Sequence, residues 1–332
     1  MKNINVFGGC DGYRGGRLVL DKLNVPVNEY YSVEIDKHAN IIGRKHYPKC
    51  VELGDITTVN MFDLDPIDLF IIGFPCINLS PQGDKAGMVT EDGIAITSLE
   101  HYMELKGKKT KFKGQSWLFW EGIRCLRDAQ KINPDLKFMV ENVCMASEWA
   151  DIITKELGVE PVVSCASDLL PALRPRMWWA NWEIKPLDKT LGATSCIKDI
   201  MVSEHESFNH TYMSKERFNS LVPTKNKGLG KARPLYHKPS RRQGYQIFDT
   251  SYKLECIDTC AGGGRTPFFM LDNGRARYAH PIELERCMGL DDDYTKGVAT
   301  GNRKKLIGNG WARLVPQHNI QCLLDTGWMK LN

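Results

Sequence analysis

Short apolar runs alternate with helical patterns through the first 185 residues of this 332-residue chain, and the alternation restricts the possible folds. The apolar runs lie at 4–7, 29–35, 67–74 and 136–143. Before the last run, the stretch SWLFWEGIRCLRDAQKI places Trp120, Ile123 and Leu126 on one face of a predicted helix. Strands that alternate with helices form parallel sheets covered on both faces, so we predict an α/β fold.

The pattern changes after residue 185, where the sequence becomes polar and is punctuated by proline and glycine. We therefore expect a first domain over 1–185 and a small, loop-rich region over 186–253. Ordered sequence resumes near LECIDT, so residues 254–332 are expected to return to the first domain.

Composition is that of a globular protein, with 42% hydrophobic and 25% charged residues. The chain has no apolar run of about 18 residues, and its N-terminus lacks the layout of a signal peptide, which predicts a cytoplasmic protein that does not enter membranes. The eleven cysteines form no C-x-x-C pair, and no histidine pair stands at metal-ligand spacing. We expect reduced thiols and no metal site.

The loop FGGCDGYRGG follows a short strand and opens a helix, which presents backbone N–H groups to a nucleotide-like ligand. It lacks a complete G-x-G-x-x-G pattern, and an ordinary tight turn is the alternative. Two acids strengthen the first interpretation. Glu34 ends the next strand, where it can accept hydrogen bonds from ribose hydroxyls, and Asp55 can accept one from an exocyclic amine.

Cys76 follows Pro75 at the end of a buried strand, beside the expected ligand crevice. An isolated cysteine usually acts as a small apolar residue, whereas a nucleophilic one requires electropositive surroundings. Glu141 in VENV and the alternating Arg174 and Arg176 in RPR are candidate partners. The alternatives are a capping carboxylate and surface ion pairs.

In order and content, these segments resemble the DNA cytosine methyltransferases that act on carbon-5. The matching motifs are FGGCDG, VEID, GDIT, GFPCINLS, VENV, RPR, a variable stretch and LIGNGWARLVPQ. DGYRGGRLVLDKLNV and HPIELERCMGLDDDYT resemble the branch that includes the animal de novo enzymes. The resemblance implies a Rossmann-like, S-adenosylmethionine-dependent methyltransferase sheet with a small target-recognition domain.

The resemblance also implies a reaction. A methyl group passes from S-adenosylmethionine to carbon-5 of a cytosine flipped out of duplex DNA, through a covalent adduct of Cys76. Glu141 stabilises the charge that develops in the ring, Arg176 holds the base carbonyl, and Arg174 orients its neighbours. The implied cofactor-binding residues are Phe7, Gly9, Gly12, Glu34, Ile35, Asp55, Ile56, Pro75 and Asn309.

Two basic clusters, at 106–114 and 225–243, are either solvated loops or DNA-binding surfaces. Under the resemblance, residues 81–114 form a mobile loop that closes over DNA. The expected DNA contacts are Lys108, Lys109, Lys111, Lys113, Arg241 and Arg242. We expect a monomer, with a dimer as the alternative, and a restriction-modification role is one of several that the sequence leaves open.

Three positions depart from the family pattern, which has glycine at Asp11, glutamine at Ile77 and serine or alanine at Gly310. Three alternatives to DNA methylation stay open. One is a transfer RNA methyltransferase with nearly the same motifs, and another is a catalytically silent homologue. The third is a nicotinamide-dependent oxidoreductase, which the incomplete glycine pattern and the Pro-Cys pair disfavour.

Overall fold

A computed structural model describes residues 3–80, 86–190, 192–203, 212–224, 232–239, 245–260 and 265–329. The chain forms two compact units. The first contains the residues up to Ser164, Pro175–Lys185 and the chain from Asn319 onward, and the second contains Cys165–Arg174 and Pro186–His318. One change of unit falls after Lys185, and Cys165–Arg174, which we expected in the first domain, belong to the second unit.

The return to the first unit occurs at Asn319, whereas we expected it from residue 254. Contacts within the second unit account for the difference. Leu254 forms a parallel bridge with Ala172, and the buried Lys253 Nζ donates to the carbonyls of Leu170 and Gly192 at 3.1 and 2.7 Å. These bonds tie the LECIDT stretch to neighbours in the second unit.

A seven-stranded sheet forms the first unit, in the order β3-β2-β1-β4-β5-β7-β6. Its strands are β1 (Ile4–Gly9), β2 (Val27–Val33), β3 (Val51–Glu52), β4 (Leu69–Gly73), β5 (Lys137–Val143), β6 (Val162–Cys165) and β7 (Pro175–Ala180). The first five strands pair in parallel and β7 runs antiparallel to β5. The α/β prediction is confirmed, and the strand order reverses direction between β1 and β4.

Five helices belong to the first unit: α1 (Gly15–Lys22), α2 (Lys37–His46), α3 (Leu99–Gly107), α4 (Leu118–Ile132) and α5 (Ser147–Leu157). The predicted apolar stripe of α4 is buried at Trp120, Ile123 and Leu126. It packs in one core with β1 and β4, where the rings of Phe7 and Phe70 stack with centroids 4.5 Å apart. Burial of these side chains is the main force that holds the helices against the sheet.

The second unit contains a five-stranded sheet in the order β12-β11-β10-β9-β8. Its strands are β8 (Val222–Pro223), β9 (Pro234–His237), β10 (Ile247–Phe248), β11 (Phe268–Met270) and β12 (Ala276–Tyr278). The remaining helices are α6 (Lys215–Asn219), α7 (Pro281–Cys287), α8 (Thr300–Asn309) and α9 (Leu314–Asp325), the last of which extends across the division between the units. The strands are two to four residues long, consistent with the weak periodicity of this part of the sequence.

The segment 81–114, which we expected to form a mobile loop, includes a helix. Residues 81–85 lie outside the described residues, but the rest contains α3 and short antiparallel bridges from Val89 and Thr90. Met88, Ile96 and Tyr102 are fully buried in the core of the first unit. The prediction missed this because the lysine run hides the apolar positions that hold α3 in place.

Candidate active site

The glycine loop joins the end of β1 to the start of α1, at the point where the strand order reverses. Glycine is required at two of its positions. Gly12 has a φ of 56°, and a Cβ at Gly8 would lie 2.4 Å from Tyr30 Oη. The backbone N–H of Gly12 donates to Glu34 Oε2 at 2.8 Å, so the loop is fastened to the end of β2. Gly9, the last residue of β1, is itself buried.

Glu34 and Ile35 follow directly after β2. The other oxygen of Glu34, Oε1, accepts the backbone N–H of Asp36 at 2.7 Å, so the carboxylate is held in one orientation. Each oxygen has a second lone pair with which it can accept another hydrogen bond. Ile35 is 66% exposed, unusual for an isoleucine, and it offers an apolar surface beside that carboxylate.

Asp55 begins a 3₁₀ turn, Ile56–Thr58, that follows β3. Its Oδ1 accepts the backbone N–H of Thr57 at 2.9 Å, while among the described residues no donor reaches Oδ2. The side chain of Ile56 is buried in the core, as is that of Phe7. Only the backbone groups of these two predicted cofactor-binding residues can therefore contact a ligand.

Asp11 lies in the glycine loop but turns its carboxylate toward β2, where it accepts hydrogen bonds from Tyr30 Oη at 2.7 Å and Ser32 Oγ at 2.9 Å. Desolvation is the largest influence on this group and raises its pKa to about 7, with a further contribution from the negative charge of Glu34. The two hydrogen bonds act in the opposite direction and lower the pKa. The departure from glycine thus adds partly buried polar contacts to the loop.

This pKa predicts how stability depends on pH. Because the folded-state pKa of Asp11 lies above its unfolded value, the folded protein holds the extra proton between about pH 4 and pH 7, and stability falls as pH rises through that window. Asp11→Asn cannot ionise, so its free energy of unfolding should lack this fall. We therefore expect the free energy of unfolding of the variant, relative to that of the wild type, to rise by about 2 kcal/mol from pH 5 to pH 8. Urea denaturation at both pH values measures the difference.

Asp21→Asn, on the exposed part of α1, is the matched control because it leaves the contacts of Tyr30 and Ser32 intact. An equal pH dependence of Asp11→Asn and wild type would contradict the prediction.

Pro75 and Cys76 form the start of a tight turn two residues beyond the end of β4. The carbonyl of Cys76 accepts the backbone N–H groups of Leu79 and Ser80 at 2.9 and 2.8 Å. The Cys76 side chain is partly exposed and packs at the edge of the core. Ile77, the second departure from the family pattern, is 60% exposed.

Three polar residues that the sequence analysis did not identify hold this turn. Ser116 Oγ donates to the Pro75 carbonyl at 2.9 Å and accepts the Asn78 N–H at 3.2 Å. Asn78 Oδ1 in turn accepts the N–H of Ser116, and Asn142 Nδ2 donates to the Phe74 carbonyl at 2.9 Å. The sequence did offer a signal for two of these residues, because Asn78 lies two positions after Cys76 and Asn142 is next to Glu141.

Glu141 and Arg176 form an ion pair, with Arg176 Nε 2.8 Å from Glu141 Oε1 and both side chains largely buried. The strand register brings them together, because Val143 of β5 lies opposite Arg176 of β7. Glu141 is also paired with Gly73, the last residue of β4, so it lies on the strand next to the Cys76 turn. The sheet therefore brings the three predicted catalytic segments to the carboxyl ends of β4 and β5 and the adjoining start of β7.

Arg174 belongs to the second unit, where its guanidinium is buried. It donates to the carbonyls of Ile257 at 3.2 Å, Gly308 at 2.9 Å and Gly310 at 2.6 Å. Gly310 has a φ of −75°, which any residue can adopt, so the backbone does not require glycine there. Asn309, the last residue of α8, is exposed.

The side chains of the four predicted DNA-binding lysines are exposed, at and beyond the end of α3. These are Lys108, Lys109, Lys111 and Lys113. Lys108 forms an exposed ion pair with Glu104, and the backbone of Lys113 bridges to Val89. Arg241 and Arg242 lie outside the described residues.

None of the eleven cysteines, all of which are described, forms a disulfide bond. Over the described part of the chain there is no cluster of three or more histidine, cysteine or acidic side chains that could bind a metal ion. Among those same residues, no helix has the length and apolar character needed to cross a bilayer.

The structure resembles several solved methyltransferases over nearly its whole length. The Schizosaccharomyces pombe (S. pombe) Dnmt2 methyltransferase matches with a TM-score of 0.69 at 16% identity and covers 98% of this chain and 99% of its own. A putative DNA modification methyltransferase encoded within an Escherichia coli (E. coli) prophage matches with a TM-score of 0.64 at 17% identity, covering 97% and 99%. The fold is that of an S-adenosylmethionine-dependent methyltransferase.

Sequence comparison finds a family match over the first part of the chain and relatives among the Type II methyltransferases. Residues 1–150 match the model for C-5 cytosine-specific DNA methylases. The Type II methyltransferase M.HhaI of Haemophilus parahaemolyticus is 23% identical over 321 residues, which is 93% of this chain and 90% of the relative. The Type II methyltransferase M.NlaIV of Neisseria lactamica is 30% identical over 112 residues, 33% of this chain and 26% of its own.

Residues 1–150 carry the sequence of the C-5 cytosine-specific DNA methylase family, whose members act on DNA with S-adenosylmethionine as the methyl donor, and M.HhaI is similar over nearly the whole chain. The resemblance noted in the sequence is confirmed. The residues around the glycine loop suit this cofactor, because Glu34 has spare acceptor capacity and Ile35 presents an exposed apolar side chain next to it.

Proposed function

We propose that the ion pair of Glu141 and Arg176, together with the Cys76 turn on the neighbouring strand, forms the catalytic centre for methylation of carbon-5 of cytosine in duplex DNA. The observation that carries this proposal is the strand register. Glu141 pairs with Gly73 at the end of β4 and forms an ion pair with Arg176 of β7, which supports a catalytic centre made of a nucleophile, an acid and a cation.

Cys76 acts as the nucleophile. Its sulfur forms a bond to carbon-6 of cytosine, and the electron pair of the 5,6 double bond makes carbon-5 nucleophilic. After carbon-5 has accepted a methyl group it loses its proton, and the bond between sulfur and carbon-6 breaks. The hydrogen bonds around Pro75 and Asn78 support this role, because they fix the turn before the substrate arrives.

Glu141 donates a proton or hydrogen bond at the ring nitrogen as charge moves into the base, and Arg176 binds the base carbonyl. Since the two side chains already pair at 2.8 Å, Arg176 also holds the glutamate in place. Arg174 donates to the carbonyls of Gly308 and Gly310, and we assign it the role of positioning that stretch of backbone. The target base must leave the duplex to reach this centre, at a cost of a few kcal/mol.

When bound, S-adenosylmethionine supplies the methyl group. We assign the ribose hydroxyls to Glu34, the adenine face to Ile35 and the exocyclic amine to Asp55, whose Oδ2 is available for that bond. The backbone of Phe7, Gly9, Gly12 and Ile56, with Pro75, completes the proposed site within the first unit. Glycine in the loop permits the close approach of the ligand.

The proposal is tested by incubating the protein with labelled S-adenosylmethionine and mixed-sequence duplex DNA, and identifying the modified nucleosides by mass spectrometry. We expect 5-methyldeoxycytidine. The same assay is run in parallel on transfer RNA. Methylation of transfer RNA but not of DNA would contradict duplex DNA as the substrate, and methylation of neither would contradict the catalytic roles.

The exposed lysines of the α3 segment are proposed to bind phosphates. Alanine at Lys108, Lys109, Lys111 and Lys113 should weaken DNA binding and reduce the slope of log K against log salt by about 0.9 for each phosphate that the variant no longer neutralises. Fluorescence anisotropy at several salt concentrations measures the slope. The control variant has alanine at the exposed Lys131 and Lys155. An unchanged slope in the fourfold variant would show that the lysines of the α3 segment are solvated and do not contact DNA.

A further inference from the structure

Arg124 of α4 binds the turn that carries Asp55. Its Nη2 donates to the carbonyl of Ile56 and its Nη1 to the carbonyl of Val59, each at 3.0 Å. The arginine thus grips the turn at two points directly after Asp55. It is distant in sequence from the motifs discussed above, and no local pattern marks it.

Two other features also hold the turn: the side chains of Ile56 and Val59 are buried in the core, and Thr58 Oγ1 donates to the Asp55 carbonyl at 2.9 Å. The turn's own backbone bonds run from Thr58 to Asp55 at 3.1 Å and from Val59 to Ile56 at 3.3 Å, in the i to i+3 pattern of a 3₁₀ turn. The carboxylate of Asp55 accepts only a neighbouring backbone N–H among the described residues. A planar guanidinium that reaches two carbonyls at once adds to these contacts by fixing the orientation of the peptide groups that follow Asp55.

Glu121 fixes Arg124 in turn. Arg124 Nε donates to Glu121 Oε2 at 2.7 Å, and the Glu121 side chain is 0% exposed. The other oxygen of Glu121 accepts hydrogen bonds from Tyr102 and Lys106 of α3. The Glu121 carboxylate is fixed in place, because any movement would break its hydrogen bonds to Tyr102 and Lys106 as well as to Arg124. The fixed carboxylate in turn holds the Arg124 guanidinium in the orientation that reaches the turn.

We propose that Arg124 is a positioning residue for cofactor selectivity. By holding the carbonyls of Ile56 and Val59, it aims the carboxylate of Asp55 at the exocyclic amine of adenine. The inference rests on the proposed function, which places adenine at Asp55. A misaligned carboxylate would lose its preference for a ligand that carries this amine, while the contacts to the rest of the ligand would persist.

The test compares two ligands that differ only at this group. S-adenosylhomocysteine carries the amine, and S-inosylhomocysteine carries a carbonyl oxygen in its place. We expect wild-type protein to bind the adenosyl compound at least about tenfold more tightly, the size of one hydrogen bond to a charged group. Arg124→Lys should reduce the ratio to within about threefold, with affinity for the inosyl compound little changed, because an ammonium group cannot hold two carbonyls in a fixed plane.

Arg127→Gln is the matched control. Arg127 lies one turn further along α4 and also donates to a backbone carbonyl, that of Glu156, away from the cofactor segment. It should retain the wild-type ratio. Thermal denaturation of each variant verifies folding, and Arg124→Gln provides a second substitution with the same expected loss of selectivity.

Asp55→Ala separates the two hypotheses. Two results would overturn the positioning role of Arg124 and leave the proposed cofactor site standing. In one, Asp55→Ala abolishes the preference for the adenosyl compound while both Arg124 variants keep it. In the other, the Arg124 variants lower the affinity for both compounds by the same factor. If Asp55→Ala leaves the ratio unchanged, the placement of adenine is wrong and the inference falls with it.

Discussion

Serine in place of Cys76 is expected to lower methyl transfer by at least about 10³-fold, because a serine hydroxyl is a far weaker nucleophile at neutral pH than a cysteine thiolate. The turn itself should persist. Its hydrogen bonds run through the backbone of Cys76 and the side chains of Asn78 and Ser116. Affinity for S-adenosylmethionine should therefore remain within about twofold of wild type, which isothermal titration calorimetry can measure.

A covalent trap provides a second measurement. In duplex DNA that contains 5-fluorocytosine, the fluorine cannot leave as a cation, so the adduct between sulfur and carbon-6 should accumulate on the wild-type enzyme. Cys76→Ser should form none. Cys144→Ser, at the partly exposed thiol that follows β5, is the control and should trap normally. Adduct formation by Cys76→Ser would show that another residue is the nucleophile.

Glutamine in place of Glu141 is expected to lower kcat by about 10²- to 10⁴-fold, since an amide retains the shape of the side chain but cannot supply a proton to the ring. The amide oxygen can still accept from Arg176, so the strand pairing should survive. Single-turnover kinetics at saturating cofactor and DNA isolate this loss from binding.

Glu148→Gln, on the exposed surface of α5, serves as the control for the loss of one carboxylate. A Glu141→Gln enzyme with a rate within about threefold of wild type would contradict the assigned role. So would a loss of activity that simply follows a loss of folded protein, which circular dichroism can detect.

Local patterns predicted much of the first unit. The apolar runs at 4–7, 67–74 and 136–143 became β1, β4 and β5, and the apolar stripe of α4 faces the core. These elements could be read from sequence because a buried parallel strand and an amphipathic helix each have a characteristic periodicity. The α3 segment was missed because its buried residues are few and its lysines dominate the pattern.

Motif order identified the candidate site residues but not the contacts between them. Glu141 and Arg176 were both predicted, yet their ion pair depends on the register of β5 against β7, and a shift of one residue would turn the side chains to opposite faces. Likewise, the bonds among Pro75, Asn78 and Ser116 span about 40 positions of sequence.

Local sequence patterns were enough to predict the α/β fold, the glycine loop, the acids at the strand ends and the Pro-Cys pair, because each of these features lies within a short stretch of neighbouring residues. Two contacts came from the packed fold and not from any pattern: Asp11 accepts hydrogen bonds from Tyr30 and Ser32, and Arg124 donates to the carbonyls of the turn after Asp55. Such contacts arise when distant elements pack against one core, and no local periodicity records which side chains packing brings together.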